Sequence, residues 1–188
     1  MFNEIQNFIS EEENQKLKKY FDNSLTTFEA TNSSNYLIAD GLFINPKDDI
    51  FLRGIIDRLL PIVKKDWRFV DYVNFIKYDV GGRFKAHSDF IDTSSEANLE
   101  DLKVGGQREH TFLIYLNDDY EGGETYFNVM NKKIKPEKNK VIWWKNTLAD
   151  GSQNMATMHE SKKIILGTKY LVGIWVRQQM VHTTKTII

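Results

Sequence analysis

Residues 78–90 read YDVGGRFKAHSDF, and the interpretation of the whole chain starts from this stretch. The pair Gly81-Gly82 is a turn signal between two apolar segments that are typical of β-strands. The second segment, Phe84–His87, leads into His87-Ser88-Asp89. Side chains two residues apart on a strand point to the same side, so this imidazole and this carboxylate can reach one ion.

Short apolar segments separated by glycine or charged turns continue from Trp67 to Arg177. About eight strands at this spacing predict a double-sheet jelly roll. The polar stretch Ile91–Gln107 shows no clear period and ends near two glycines, so we predict a long loop there. The predicted strands are Phe69–Tyr78, Phe84–His87, His110–Asn117, Thr125–Val129, Val141–Lys145, Ala156–His159, Lys163–Leu166 and Thr168–Arg177.

The first third of the chain has mainly helical signals after a short predicted strand at Phe2–Ile9. Ser10 and Glu13 form a capping-box pair that predicts the start of a first helix. Asp48 or Asp49 is expected to cap a second helix, because apolar residues follow at helical spacing. These helices are expected to support the strands that follow.

The length of 188 residues is most simply explained by one domain, residues 1–188. Within it we expect N-terminal helical support over residues 1–66 and a jelly-roll catalytic core over residues 67–180. The predicted fold class is therefore mainly β with supporting helices: a double-stranded β-helix (jelly-roll) barrel flanked by N-terminal helices.

Composition excludes several classes of function. The formal net charge of −1 and the lack of a long basic run predict no nucleic-acid partner. No stretch approaches the ~20 apolar residues that span a bilayer, so no membrane association is expected. The start of the chain lacks the features of a secretion signal, which favours a cytoplasmic location. Because the chain has no cysteine, nitrogen and oxygen atoms must hold any metal.

His159 lies in another predicted strand and would complete a set of two imidazoles and one carboxylate with His87 and Asp89. Such a set holds iron(II) on one face and leaves the opposite positions free for reagents. Alternatively, His87-x-Asp89 is a chance surface pattern and His159 is a buried core residue. Zinc also suits these ligands. A zinc hydrolase, however, would lack an evident general base.

Lys169 lies at the start of the last predicted strand. A zinc hydrolase would leave this lysine without a role. On that strand it shares a face with Leu171, Gly173, Trp175 and Arg177. A lysine that faces a barrel interior needs an anion to compensate its desolvation. The hydroxyls of Tyr78 and Tyr115 could share the oxygens of that anion, or both residues could be ordinary core aromatics.

Motifs in five parts of the chain resemble those of prolyl 4-hydroxylases, in the same order. The resemblance covers roughly Phe69 to Arg177. The motifs are residues 78–90, Arg108-x-x-Thr111 leading into Tyr115-Leu116-Asn117-Asp118, Tyr120-Glu121-Gly122-Gly123-Glu124-Thr125-x-Phe127, Trp144-x-Asn146, and His159-Glu160 followed by Gly167-x-Lys169-Tyr170 and Trp175.

The resemblance implies His87, Asp89 and His159 as iron ligands. It implies that Lys169 binds the distal carboxylate of 2-oxoglutarate, assisted by Tyr115 and Tyr78. Arg108 and Trp175 lie at positions where family members contact the substrate or line the pocket. Alternatively, Arg108 pairs with Glu109 or Glu124, and Trp175 is a core residue.

The activity that the resemblance implies is that of a 2-oxoglutarate- and Fe(II)-dependent dioxygenase, with dioxygen as co-reactant and ascorbate as reductant. It would hydroxylate an unactivated carbon, first of all in a prolyl residue of a peptide or protein. Free proline or another small molecule is the alternative substrate, and a non-catalytic jelly-roll binding module is the alternative from another class. The stretch 91–107 matches no known substrate-binding sequence, and Phe84 stands where some members have tyrosine. Sequence leaves the substrate and the oligomeric state undetermined.

Overall fold

The computed structural model describes residues 2–22, the backbone of residues 26–29, and residues 37–181. Three α-helices lie in this part of the chain: α1 (Glu11–Lys18), α2 (Ile50–Leu59) and α3 (Glu96–Gly105). The strands are β1 (Asn3–Ile5), β2 (Thr26–Glu29), β3 (Leu37–Ile44), β4 (Val70–Tyr78), β5 (Arg83–His87), β6 (Arg108–Tyr115), β7 (Glu121–Gly122), β8 (Thr125–Phe127), β9 (Lys132–Ile134), β10 (Val141–Lys145), β11 (His159–Ser161), β12 (Ile164–Leu166) and β13 (Lys169–Arg177).

Most strands form one curled antiparallel sheet in the order β1-β10-β6-β13-β4-β3-β5-β11-β8-β9, with β2 paired to β3. Strand β3 carries the sheet from one layer to the other. Its residues 40–44 pair with β4, whereas its residues 37–38 pair with β5. Strands β7 and β12 form a separate two-stranded sheet. The mainly β class predicted from the sequence is confirmed.

Alternation along β6 divides the interior into two clusters. Phe112 and Ile114 pack with helix α2, whereas Leu113 and Tyr115 face the space between the two layers. Successive side chains of a strand point to opposite faces, so one strand serves both clusters. The second cluster surrounds the candidate site. Helices α1 and α2 therefore cover the outer face of the larger layer and leave its inner face to the site.

Both predicted helix starts are observed. The Ser10 hydroxyl accepts a hydrogen bond from the backbone N–H of Glu13 at 3.1 Å, and the Glu13 carboxylate accepts one from the Ser10 N–H at 2.8 Å. The Asp49 carboxylate accepts a hydrogen bond from the Leu52 N–H at 2.9 Å, which caps α2. A buried face then holds α2 on the sheet: Leu52, Ile55, Ile56 and Leu59.

Two predictions about local structure are wrong. The stretch Ile91–Gln107 is not a long loop, because it contains α3, which Ser95 caps at its N-terminus. This helix buries only Gly105, so it has no apolar stripe that a periodicity analysis could detect. Residues Ala156–His159 are not one strand, because a 3-10 turn over Met155–Thr157 precedes β11.

Residues 1–66 supply strands β1 and β3 to the sheet as well as helices α1 and α2. The interpretation of the chain as a single domain, with helical support before residue 67, stays a prediction. Within the ranges that the structure describes, every helix falls short of the length and hydrophobicity that crossing a bilayer requires.

Candidate active site

Antiparallel pairing of β5 with β11 brings the two predicted histidine ligands together. The Cα atoms of His87 and His159 are direct cross-strand partners. Asp89 lies two residues beyond the end of β5, not on the strand as the sequence spacing suggested. Its carboxylate oxygens nevertheless lie 3.9 Å from Nε2 of His87 and 3.8 Å from Nε2 of His159. One donor atom from each residue lies within 4.8 Å of the other two.

Backbone carbonyl groups orient both imidazole rings through their Nδ1 atoms. Nδ1 of His87 lies 2.8 Å from the carbonyl oxygen of Lys85, and Nδ1 of His159 lies 2.9 Å from that of Thr157. A carbonyl accepts only, so each Nδ1 carries a hydrogen, and each Nε2 is the nitrogen that lies near the Asp89 carboxylate. Burial, and then the charge of His159, lower the pKa of His87 to about 4, which keeps this ring neutral at physiological pH.

A chain of buried side chains fixes the carboxylate of Asp89. The Thr111 hydroxyl donates to Asp89 at 2.7 Å and accepts from the Asn146 amide at 2.9 Å. The indole N–H of Trp144 donates to the Asn146 amide oxygen at 2.8 Å. Burial acts to raise the pKa of Asp89, but the two histidines and Thr111 outweigh it, and the pKa falls below its usual value. Sequence reasoning placed Trp144-x-Asn146 in a motif but assigned it no role in the site.

Two imidazole nitrogens and one ionised carboxylate on one side of a cavity fit iron(II). The ordered hydrogen bonds behind each of these donors are the kind of support that metal ligands need in order to keep their orientation. The cavity in front of them has a volume of about 50 Å³. The described residues therefore fit a metal that must also bind small reagents.

Lys169 lies in the wall of this cavity with a fully buried side chain. Its ammonium group donates to the carbonyl oxygen of Gly123 at 2.6 Å and to the Ser161 hydroxyl at 3.0 Å. Within residues 37–181, no carboxylate lies close enough to form an ion pair with it. Burial lowers the pKa of Lys169 to about 7. Among the described residues this buried cation has no ion-pair partner, and because it faces a cavity it fits an anionic ligand such as a carboxylate.

The two tyrosines differ in their relation to the cavity. Tyr78 is the cross-strand partner of Lys169 and lines the cavity, with the lysine Nζ 5.5 Å from its ring centre. Tyr115 lies behind the cavity wall. Its hydroxyl donates to that of Thr125 at 2.7 Å, and Thr125 lines the cavity. Thr125 and Ser161 are polar wall residues that sequence reasoning did not identify.

Arg108 and Trp175 lie at the opening of the cavity. The guanidinium of Arg108 stacks over the Trp175 ring, with its central carbon 4.3 Å from the ring centre. Its nearest ion-pair partner is Asp101 of α3, at 3.8 Å, and not Glu109 or Glu124 as the alternative interpretation supposed. Outside the opening, an outer space of about 310 Å³ is lined by Phe43 and Arg108 and by two of the candidate metal donors, His87 and Asp89.

A family model and curated relatives match this chain. The family model described as "2OG-Fe(II) oxygenase superfamily" matches residues 73–177. Prolyl 4-hydroxylase subunit alpha-2 of Caenorhabditis elegans is 27% identical over 139 residues, which cover 69% of this chain and 25% of that protein. Prolyl 4-hydroxylase subunit alpha-3 of Mus musculus is 25% identical over 178 residues, covering 91% and 32%. The chain thus spans about a quarter to a third of the length of these relatives.

Solved structures confirm the predicted jelly-roll class. The viral collagen prolyl hydroxylase of Paramecium Bursaria Chlorella virus-1, in its 2OG complex, superposes with a TM-score of 0.71 at 20% identity, covering 94% of this chain and 95% of that one. The prolyl hydroxylase of Trichoplax adhaerens, in complex with a hypoxia inducible factor peptide fragment, gives a TM-score of 0.67 at 17% identity, covering 94% and 83%.

The superfamily uses iron(II), 2-oxoglutarate and dioxygen. The three donors of this cavity fit iron(II), and its buried lysine fits 2-oxoglutarate. The family model covers more than half of the chain, and the relatives agree with it. The chain therefore belongs to the 2OG-Fe(II) oxygenase superfamily, as a relative of prolyl 4-hydroxylases, which confirms the family predicted from its motifs.

Proposed function

We propose that the protein is a 2-oxoglutarate- and Fe(II)-dependent dioxygenase that hydroxylates an unactivated carbon of a prolyl residue in a peptide or protein. One observation carries the proposal: a fully buried lysine, which has no carboxylate partner among the described residues, lines the same cavity as two histidines and an aspartate. In this proposal His87, Asp89 and His159 hold the metal. Lys169 holds the distal carboxylate of 2-oxoglutarate.

Bound iron(II), together with 2-oxoglutarate and dioxygen, supplies the oxidising chemistry. The protein side chains supply placement. The backbone carbonyls behind both histidines orient their Nε2 atoms, and the Thr111 hydroxyl keeps one Asp89 oxygen in position. These contacts hold the donors before a ligand arrives, so little reorganisation is needed when it binds.

The cosubstrate is oriented from the opposite end of the cavity. Lys169 in its ammonium form offers a charge-assisted hydrogen bond to a carboxylate. Tyr78 and Thr125 line the same end, and Tyr115 assists by donating to the Thr125 hydroxyl. The role of Tyr115 is thus to orient Thr125, which is less direct than the contact predicted from the sequence.

The substrate enters past Arg108 and Trp175, which flank the opening. Relatives named prolyl 4-hydroxylase, and a structural neighbour named as bound to a peptide fragment, favour a peptidyl proline over free proline. A non-catalytic binding module is disfavoured, because all three metal donors and the lysine are present. Ascorbate as reductant and a cytoplasmic location are further parts of the proposal.

Anaerobic addition of iron(II) and 2-oxoglutarate to the folded protein should give a weak visible charge-transfer band. Admission of air with ascorbate and a library of proline-containing peptides should then give mass increases of one oxygen atom. The matched control is Asp89→Ala, which should lose both signals. A folded wild-type protein that gives no band would contradict the oxygenase proposal. A band without peptide oxidation would redirect the search to free proline and other small molecules.

A further inference from the structure

Asn74 on β4 has a buried amide that the site described so far does not use. Its side chain is 6% exposed, and its amide oxygen has no hydrogen-bond partner among the residues that the structure describes. Buried amide groups are almost always paired, because an unpaired one loses its hydrogen bonds to water without replacement. An unpaired amide in a cavity wall is therefore a candidate for a ligand contact.

The position of Asn74 along β4 separates it from the cosubstrate end. Tyr78, Ile76 and Asn74 lie on one face and pair in turn with Lys169, Leu171 and Gly173 of β13. Four residues of strand place Asn74 roughly 13 Å along β4 from Tyr78. Its cross-strand partner Gly173 has no side chain that could cover the amide.

Asn74 lines both the inner cavity and the outer space, whereas Lys169 lines only the inner one and Arg108 only the outer one. The amide thus lies at the junction where a substrate would meet the metal. Arg108 carries a second buried atom, its Nε, that has no hydrogen-bond partner in the described part of the chain. The opening accordingly offers one unpaired acceptor, on Asn74, and one unpaired donor, on Arg108.

An acceptor and a donor on residues that line the same outer space complement a backbone amide, which has one N–H and one carbonyl oxygen. We propose that Asn74 orients the substrate by accepting a hydrogen bond from a backbone N–H beside the residue that is oxidised. Because a prolyl nitrogen carries no hydrogen, this N–H belongs to the residue that follows the proline. The inference rests on the proposed function and adds a preference: peptides with a second proline at that position are poor substrates.

The first test needs no substrate. If the Asn74 amide oxygen is paired only when a ligand is bound, Asn74→Leu should raise the thermal unfolding midpoint of the free protein. The substitution replaces an unpaired polar group with an apolar one of similar size. Asn3→Leu, the same change on exposed strand β1, measures the contribution of strand propensity alone. Stabilisation by Asn74→Leu beyond that of Asn3→Leu supports the proposal. Destabilisation would show that Asn74 has a structural role and would overturn it.

The second test compares the peptide acetyl-Ala-Ala-Pro-Gly-Ala-Ala-amide with its analogue in which an ester oxygen replaces the glycine N–H. For the wild-type protein the ester should raise KM about tenfold, the equivalent of about 1.4 kcal/mol. Asn74→Leu should raise KM for the amide peptide by a similar factor and should no longer distinguish the two peptides. The Kd of 2-oxoglutarate should stay unchanged.

Equal amide-to-ester ratios in Asn74→Leu and wild type would overturn the inference while leaving the proposed function intact. A wild-type protein that oxidises neither peptide would contradict the prolyl-peptide substrate instead. In that case the unfolding comparison alone decides whether Asn74 is held for a ligand.

Discussion

Lys169 combines properties that are rare in one residue: full burial, hydrogen bonds to the neutral acceptors of Gly123 and Ser161, and a cavity in front of its ammonium group. Desolvating a charge is costly unless a partner compensates it. The two neutral acceptors compensate only part of this cost, as the lowered pKa of about 7 indicates. A carboxylate ligand would compensate the rest of this desolvation cost.

The substitution Lys169→Met tests whether the ammonium group binds the carboxylate of 2-oxoglutarate. Methionine keeps the length of the side chain but removes the charge, so the variant should fold while its Kd for 2-oxoglutarate rises. A hydrogen bond to a charged group contributes about 1.5–3 kcal/mol, which corresponds to a change in Kd of roughly 10- to 150-fold. Anaerobic titration of the iron(II)-loaded protein measures it. The control is Lys163→Met at an exposed position, and an equal Kd in both variants would contradict the assignment.

The same lysine predicts a pH dependence. A carboxylate binds the charged form of Lys169, which predominates below its pKa of about 7. The affinity for 2-oxoglutarate should therefore fall as pH rises from 6.5 to 8.5, by up to about tenfold per unit above the pKa. Titrations across this range measure the slope, and Lys169→Met should abolish it. An affinity that is flat or increases with pH would contradict the prediction.

The pKa of Lys169 also affects folding, with the opposite sign. The folded state holds this proton less tightly than the unfolded state, whose lysine titrates near 10.4. Between about pH 7 and 10.4 the unfolded state thus binds more protons, so the contribution of this group to stability improves as pH rises. Function and stability therefore prefer opposite protonation states of one buried residue.

At the scale of elements, α3 is held mainly by one ion-pair network that is centred on the buried Arg177. Arg177 of β13, fully buried, donates to Asp71 at 2.6 Å, to the Asp101 carboxylate at 3.0 Å and to the Gly106 carbonyl oxygen at 2.6 Å. Asp101 also lies 3.8 Å from Arg108. The helix buries almost no apolar surface, so these polar contacts determine its position.

Asp101→Asn should therefore loosen α3 and raise KM for a peptide substrate several-fold, while the Kd of 2-oxoglutarate stays unchanged. The reason is that asparagine removes the negative charge that pairs with the buried Arg177 and with Arg108 at the opening. Hydrogen exchange of residues 96–105 and peptide kinetics measure the two effects. Glu100→Gln on the exposed side of the same helix, where Glu100 pairs with Lys103, is the control. Equal effects of both substitutions would argue against the network.

At the scale of the whole molecule, the candidate metal donors join segments that are far apart in sequence. His87 and Asp89 come from the β5 region and His159 from β11, and the Asp89 contacts continue through Thr111 of β6 to β10. A metal bound to the folded state alone stabilises it by about 2.7 kcal/mol at a concentration of 100 times Kd. The site therefore links the two layers of the sheet energetically.

Metal binding should accordingly raise the thermal unfolding midpoint by several degrees, and a chelator should reverse the shift. His159→Ala should fold but show no metal-dependent shift, because one of three donors is lost. Differential scanning calorimetry with iron(II) under anaerobic conditions measures both. His110→Ala, which removes a histidine outside the cavity, should keep the full shift. A shift that persists in His159→Ala would remove this residue from the ligand set.

The sequence by itself determined the chemistry of the site and the class of fold. Residue types do not depend on folding: His87-x-Asp89, His159 and Lys169 specify nitrogen, oxygen and cationic groups wherever they lie. Strand periodicity and capping residues are local as well, which is why the mainly β class and the starts of α1 and α2 were predictable. Only the tertiary structure decided what depends on pairing between distant segments. Helix α3 has too little apolar surface to be visible in a periodic pattern, and its position depends on Arg177. Likewise, the support of Asp89 by Thr111 and Asn146, the indirect position of Tyr115 and the unpaired amide of Asn74 arise from the register of β4, β6, β10 and β13, which no local pattern encodes.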